Sequence, residues 1–174
     1  MANIEPERKI PDDFQSVSFG ITSAFEVHLP VTNLQTSIEF YRDVLGLQVA
    51  RTSEERSYAF FWIGAPGSQM LGLWGHDCPN PPVSPGPSHF AMRVSGDDIE
   101  LAFSRLQRAG LTPLDFYGNP SDEPEVICWM PAVAVYFRDP DGHSLEFIAM
   151  LSEQPRPELG TVVKLSDWRR RDDQ

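Results

Sequence analysis

Two stretches of the chain repeat one pattern about sixty residues apart, and this repeat limits the fold more than any other feature. His28 and His89 stand 61 positions apart, and Ile38-Glu39 and Ile99-Glu100 keep the same interval. Gly46 and Gly110, each placed to end a helical stretch, are 64 apart, so the second copy holds a small insertion. One such module could hardly bury its own sheet, and pairing with its copy supplies the missing cover.

Each copy reads as strand, helix, then three strands. In the first, Phe25, Val27, Leu29 and Val31 alternate with polar positions, which is the period of a strand. Asn33 is placed to cap a helix whose apolar positions are Leu34, Ile38, Tyr41, Val44 and Leu45. Runs at 47–51, 58–63 and 70–74 follow as strands. In the second copy a strand over 88–94 precedes a helix starting at Asp97 or Asp98, with strands expected at 112–117, 133–138 and 144–150. The expected fold class is therefore α+β, with two βαβββ modules forming a barrel-like cleft. Residues 1–20 read as a tail, 21–74 as the first module and 88–150 as the second. Five prolines mark 75–87 as an extended linker, and 151–174 read as a polar C-terminal tail. The loop over 118–131, acidic and proline-containing, has the length of a lid.

The 174 residues carry 14 Lys+Arg against 25 Asp+Glu, a formal net charge of −11. That charge repels phosphate backbones and argues against a nucleic-acid binder. Arg169-Arg170-Arg171 is followed at once by Asp172 and Asp173 and reads as solvated tail. No apolar run is long enough for a membrane span, and residues 1–13 lack the apolar core of a signal peptide. Cys78 and Cys128 are too few for a disulfide scaffold, so the cytosol is the expected location.

Strand parity singles out three side chains. His28, His89 and Glu146 are each out of phase with the apolar residues of their strands, so each projects from the face away from the helices. Two imidazoles and a carboxylate form a facial set suited to Fe, Mn, Ni or Zn, with positions left for substrate. Convergence of all three requires the two half-sheets to face each other.

Asp139-Pro140-Asp141-Gly142 is hairpin chemistry, and Gly142 at the third loop position favours a three-residue bulged turn. That register pairs Tyr136 with Glu146 and puts Arg138 on the same face. Tyr136 then either donates a hydrogen bond or proton to substrate or simply fills space with its ring. Arg138 either holds an anionic substrate group or makes a surface ion pair. Arg93 shares the ligand parity, and Trp74 is either a pocket wall or core packing. His76 and Cys78 lie at the mouth of the linker, and His143 beside the turn is expected to be solvated.

Several segments resemble the vicinal oxygen chelate superfamily, which includes glyoxalases, extradiol dioxygenases, fosfomycin-resistance thiol transferases and bleomycin-resistance proteins. They are residues 25–34, 37–47, 88–91 and 135–147, the last holding Tyr136-Phe-Arg-Asp-Pro-Asp-Gly-His-Ser-Leu-Glu146. The resemblance implies a cleft around a divalent metal, with His28, His89 and Glu146 on ligand positions and Glu146 also able to act as a base. It implies a small-molecule substrate chelated through adjacent oxygens and a homodimer, sometimes with modules shared between chains. Glyoxalases look for a Glu or Gln ligand where Gly72 stands. The thiol transferases look for a threonine where Pro30 stands, and the dioxygenase signature looks for a histidine within 127–129. Dioxygenase-type chemistry fits the donor set and hairpin best; lyase or isomerase and thiol-transfer chemistries follow. The competing class is a binding protein that sequesters a ligand without catalysis.

Overall fold

The computed structural model describes residues 23–79, 81–84 and 86–170. The first module contains β1 (Glu26–Val31), α1 (Leu34–Glu39), β2 (Gln48–Ser53), β3 (Tyr58–Ile63) and β4 (Gln69–Gly75). Asn33 caps α1 by accepting a hydrogen bond from Thr36 N at 3.0 Å. A wider π turn over Phe40–Val44 continues the helix, and Gly46, at φ +73°, turns the chain into β2. The sheet order is β1-β4-β3-β2, with β1 and β4 parallel.

The second module has β5 (His89–Arg93), α2 (Ile99–Arg108), β6 (Glu125–Ile127), β7 (Ala132–Arg138) and β8 (Ser144–Met150). Two further elements follow, β9 (Val162–Lys164) and α3 (Leu165–Arg170). The second sheet runs β5-β8-β7-β6-β9. The architecture is thus α+β, with the two repeats matched strand for strand.

The secondary structure differs from the sequence reading in two places. The strand expected at 112–117 is instead β6, inside the segment read as a lid. Leu114 makes only isolated bridges, to Tyr136 and Pro120, and Asp115 curls the chain away by accepting from Tyr117 N at 2.9 Å and Asn119 N at 2.7 Å. The segment read as a C-terminal tail carries β9, which pairs with β6, and α3, which buries Leu165 and Trp168. The Arg156 guanidinium lies 4.4 Å from the centre of the Trp168 ring.

One core serves both modules. Leu29, Phe61 and Leu71 from the first sheet join Val135, Phe137 and Leu145 from the second, beneath Phe40, Tyr41, Ile99 and Phe103. The alternate residues of the same strands face the other way, which leaves His28, Gly72, His89, Tyr136 and Glu146 on the faces away from the helices.

The turn between β7 and β8 clasps the modules together. Tyr41 donates its hydroxyl to Asp139 at 2.8 Å, and Asp139 also accepts from His143 N at 2.8 Å. Asp141 accepts from Thr32 N and Oγ1 at 2.8 and 2.6 Å and from Ser37 Oγ at 3.1 Å. His143 is 1% exposed, not solvated as expected. Its Nδ1 accepts from Ser88 N at 2.9 Å, so Nε2 carries the proton and donates it to Pro30 O at 2.7 Å.

Candidate functional site

The bulged turn sets the register of the site. Gly142 N donates to Asp139 O at 3.0 Å with Gly142 at φ +82°, and Tyr136 then pairs with Glu146 and Arg138 with Ser144. The three-residue loop therefore puts Tyr136 on the face of Glu146, as the turn residues lead one to expect.

His89 and Glu146 lie side by side on β5 and β8. His89 Nε2 is 3.3 Å from Glu146 Oε2. Glu146 is 5% exposed, and its Oε1 has no hydrogen-bond partner. A buried carboxylate oxygen without a donor is costly unless a ligand satisfies it. Burial holds the Glu146 carboxyl above the usual carboxylate range, against the opposing pull of the Tyr136 hydroxyl and His89. Burial likewise pushes the Tyr136 phenol up, reinforced by the Glu146 charge and the hydrogen bond between them. Tyr136 is thus a neutral proton donor at ordinary pH. These features suit a divalent ion: an imidazole nitrogen, a carboxylate with one oxygen free, and a low-dielectric surround.

His28 is built differently. Its Nδ1 accepts from Trp74 Nε1 at 2.7 Å, and its Nε2 lies 3.2 Å from Glu26 Oε1. Both ring nitrogens are therefore occupied. Phe60 meets the imidazole edge to face, with 5.8 Å between ring centres. Gly72 pairs with His28 across β1 and β4, and a Cβ at Gly72 would lie 2.7 Å from His28 Nδ1. The missing side chain at 72 is what lets the ring lie flat against the sheet.

The three expected ligands fall into two groups. Among the described residues no cluster of three His, Cys, Asp or Glu could hold a metal ion. A cavity of about 520 Å³ opens beside His89, Tyr136, Arg138 and Glu146, and every residue lining it comes from the second module. Trp74 serves His28 rather than this cavity. Arg93 lines a separate hollow between the edges of β1 and β5, with Phe25, Glu26 and Met70. His76 Nδ1 lies 3.1 Å from Thr32 O, under the linker.

The sequence reading missed Phe116, Tyr117 and Trp129, which rim the cavity and are 42%, 69% and 62% exposed. The available signal was three large aromatics within a polar, proline-rich stretch. No helix among the described residues is long and apolar enough to cross a membrane.

Residues 23–147 match the Glyoxalase/Bleomycin resistance protein/Dioxygenase superfamily. Lactoylglutathione lyase of Haemophilus influenzae is 30% identical over 128 residues, which is 69% of this chain and 87% of that protein. Metallothiol transferase FosB of Staphylococcus haemolyticus is 30% identical over 121 residues, covering 67% of this chain and 75% of its own. Among solved structures, an integron cassette protein from the mobile metagenome of the Halifax Harbour sewage outfall is 31% identical with a TM-score of 0.62. That match covers 75% of this chain and all of the other.

Proposed function

Because the chain belongs to the Glyoxalase/Bleomycin resistance protein/Dioxygenase superfamily, we propose that it is an enzyme holding a divalent metal, Fe, Mn, Ni or Zn, through His28, His89 and Glu146. The carrying observation is the buried, unpartnered Oε1 of Glu146 beside His89. His28 of one copy joins His89 and Glu146 of a second copy, since within one chain His28 stands on the other sheet, apart from the cavity. The reading therefore includes a homodimer with modules shared between chains. Bound there, the metal supplies a Lewis acid and a template for a small organic substrate chelated through adjacent oxygens.

The residues do the rest. Tyr136 lines the cavity with its phenol protonated beside Glu146 and can donate that proton to a substrate oxygen. Arg138, on the same face two residues on, offers its guanidinium to an anionic group. Glu146 can take a proton when its second oxygen is released. Gly72 leaves the first module without a carboxylate ligand at that position, which keeps coordination positions free. That favours dioxygenase-type chemistry over an isomerisation using two carboxylates. Thiol transfer is the second reading, favoured by the relatives named metallothiol transferase. The cytosol, where Cys78 and Cys128 stay reduced, fits either reading.

A mixing experiment tests the site. His28→Ala and His89→Ala should each lose metal after reconstitution. When the two variants are unfolded together and refolded, half of the dimers are mixed and each regains one intact site, so metal returns to about a quarter of the wild-type content. No return on mixing sinks the shared site, and less than a tenth of an equivalent of any divalent metal in the wild type sinks the metal enzyme. Oxygen uptake with catechols under Fe(II) then separates the two chemistries.

A further inference from the structure

The cavity beside His89 and Glu146 has a second end, and its chemistry is specific. Arg138 reaches it with one hydrogen bond, from Nη1 to Gly142 O at 3.3 Å, and no carboxylate of the described residues pairs with it. Arg138 is the one Lys or Arg among the residues lining this cavity, and a guanidinium there offers an anion a charge-assisted hydrogen bond. Gly118, at φ +86°, brings the backbone close there: a Cβ at 118 would lie 3.9 Å from Arg138 Nη2.

Between the two ends the walls are aromatic. Phe116 meets Tyr136 edge to face at 6.1 Å and Tyr117 at 5.3 Å. Trp129, in the turn between β6 and β7, rims the far side of the cavity, beyond Tyr136 and Glu146 from Arg138. These rings are exposed, yet the backbone carrying them is pinned. Phe116 N donates to Glu125 at 2.8 Å, Asp115 gathers Tyr117 N and Asn119 N, and Cys128 N donates to Thr161 O at 3.0 Å. Exposed aromatics on a fixed backbone form a preorganised stacking surface. Tyr136 and Arg138 are one two-residue strand repeat apart, about 7 Å along β7, which is the span of an aromatic ring system.

We propose that this cavity binds an aromatic carboxylate, with its ring against Phe116 and Tyr117 and its carboxylate on Arg138. The proposal rests on the reading that His89 and Glu146 form the reactive end, but the binding needs no metal.

Calorimetry on the metal-free full chain tests it with 2-naphthoate, the neutral 2-naphthamide and acetate. Naphthoate should bind about tenfold tighter than naphthamide, the worth of one charge-assisted hydrogen-bonded pair, and acetate should bind far more weakly than either. Arg138→Leu should erase the preference for naphthoate over the amide, and Arg138→Lys should restore part of it. Phe116→Ala should weaken naphthoate and naphthamide alike. Equal binding of naphthoate and its amide overturns the proposal, as does an unchanged preference in Arg138→Leu. So does naphthoate binding that Phe116→Ala leaves untouched, the result expected if a second copy covers the aromatic rim. Metal uptake is measured separately: naphthoate selectivity without metal binding sinks the proposed function alone, and metal binding without selectivity sinks this proposal alone.

Discussion

Each module carries a histidine on its first strand, His28 opposite Gly72 and His89 opposite Ser144, and the two are used in opposite ways. His28 sits in a closed setting: both ring nitrogens have partners, Phe60 and Trp74 crowd it, and Gly72 makes room for it. His89 is half open, with a buried glutamate on one side and a cavity on the other. Duplication supplied the scaffold twice; the neighbours on β4 and β8 decided what each imidazole can do. Gly72 on β4 withholds a donor, whereas Glu146 on β8 supplies one with an oxygen to spare.

The sharpest way to break this contrast is Glu146→Gln. Metal uptake should be abolished, yet the metal-free protein should melt higher at neutral pH. Burial raises the Glu146 carboxyl above its unfolded value, so the metal-free fold is most stable below the unfolded carboxylate range and loses that stability as pH rises through the raised value. The neutral amide removes this loss, and thermal melts across the acid range should flatten. A wild-type and variant melting curve of the same pH dependence would show that Glu146 is not strained by burial.

The next effect comes from Gly72→Ala. Its Cβ would meet His28 Nδ1 at 2.7 Å and Phe60 Cε1 at 2.9 Å, so the imidazole must leave its bond with Trp74. Overpacking of this kind costs about 1–3 kcal/mol, read as a lower denaturant midpoint. The His28 ring resonances should move while those of His89 stay. Unchanged His28 resonances would show that the glycine does not set the ring.

The mildest change is Trp74→Phe. With the indole N–H present, Nδ1 acts as an acceptor; a metal at Nε2 needs the proton on Nδ1 instead. Removing the competing donor should tighten metal binding about tenfold, the low end of the range by which ligand-orienting partners tune affinity. Weaker binding in Trp74→Phe would mean that the indole supports His28 rather than holding it back.

Much of this contrast is legible in the order of the residues. The repeat sets the module order, and Gly142 at the third turn position sets the register that puts Tyr136 opposite Glu146. Local pattern fails where long-range partners decide. Glu125, Val126 and Ile127 look like loop between Pro124 and Pro131, but strands on both sides make them β6. His143 looks solvated beside a turn, but its acceptor Pro30 O is 113 positions away. Strand parity gives the face on which each of the three side chains lies; it holds no information on which sheet faces which, so the separation of His28 from His89 and Glu146 is invisible to it.

The C-terminal arm also makes one wall of the cavity depend on residues far along the chain. Lys164 binds Asp122, Ser166 binds Glu123 through its N–H and hydroxyl, and Arg156 N and Thr161 O hold Cys128. The segment bearing Trp129 is therefore braced only after residues 156–166 have docked. The strands carrying His89 and Glu146, β5 and β8, both precede that brace in the chain, so a chain stopped before residue 156 holds both side chains but lacks what fixes one wall of the cavity.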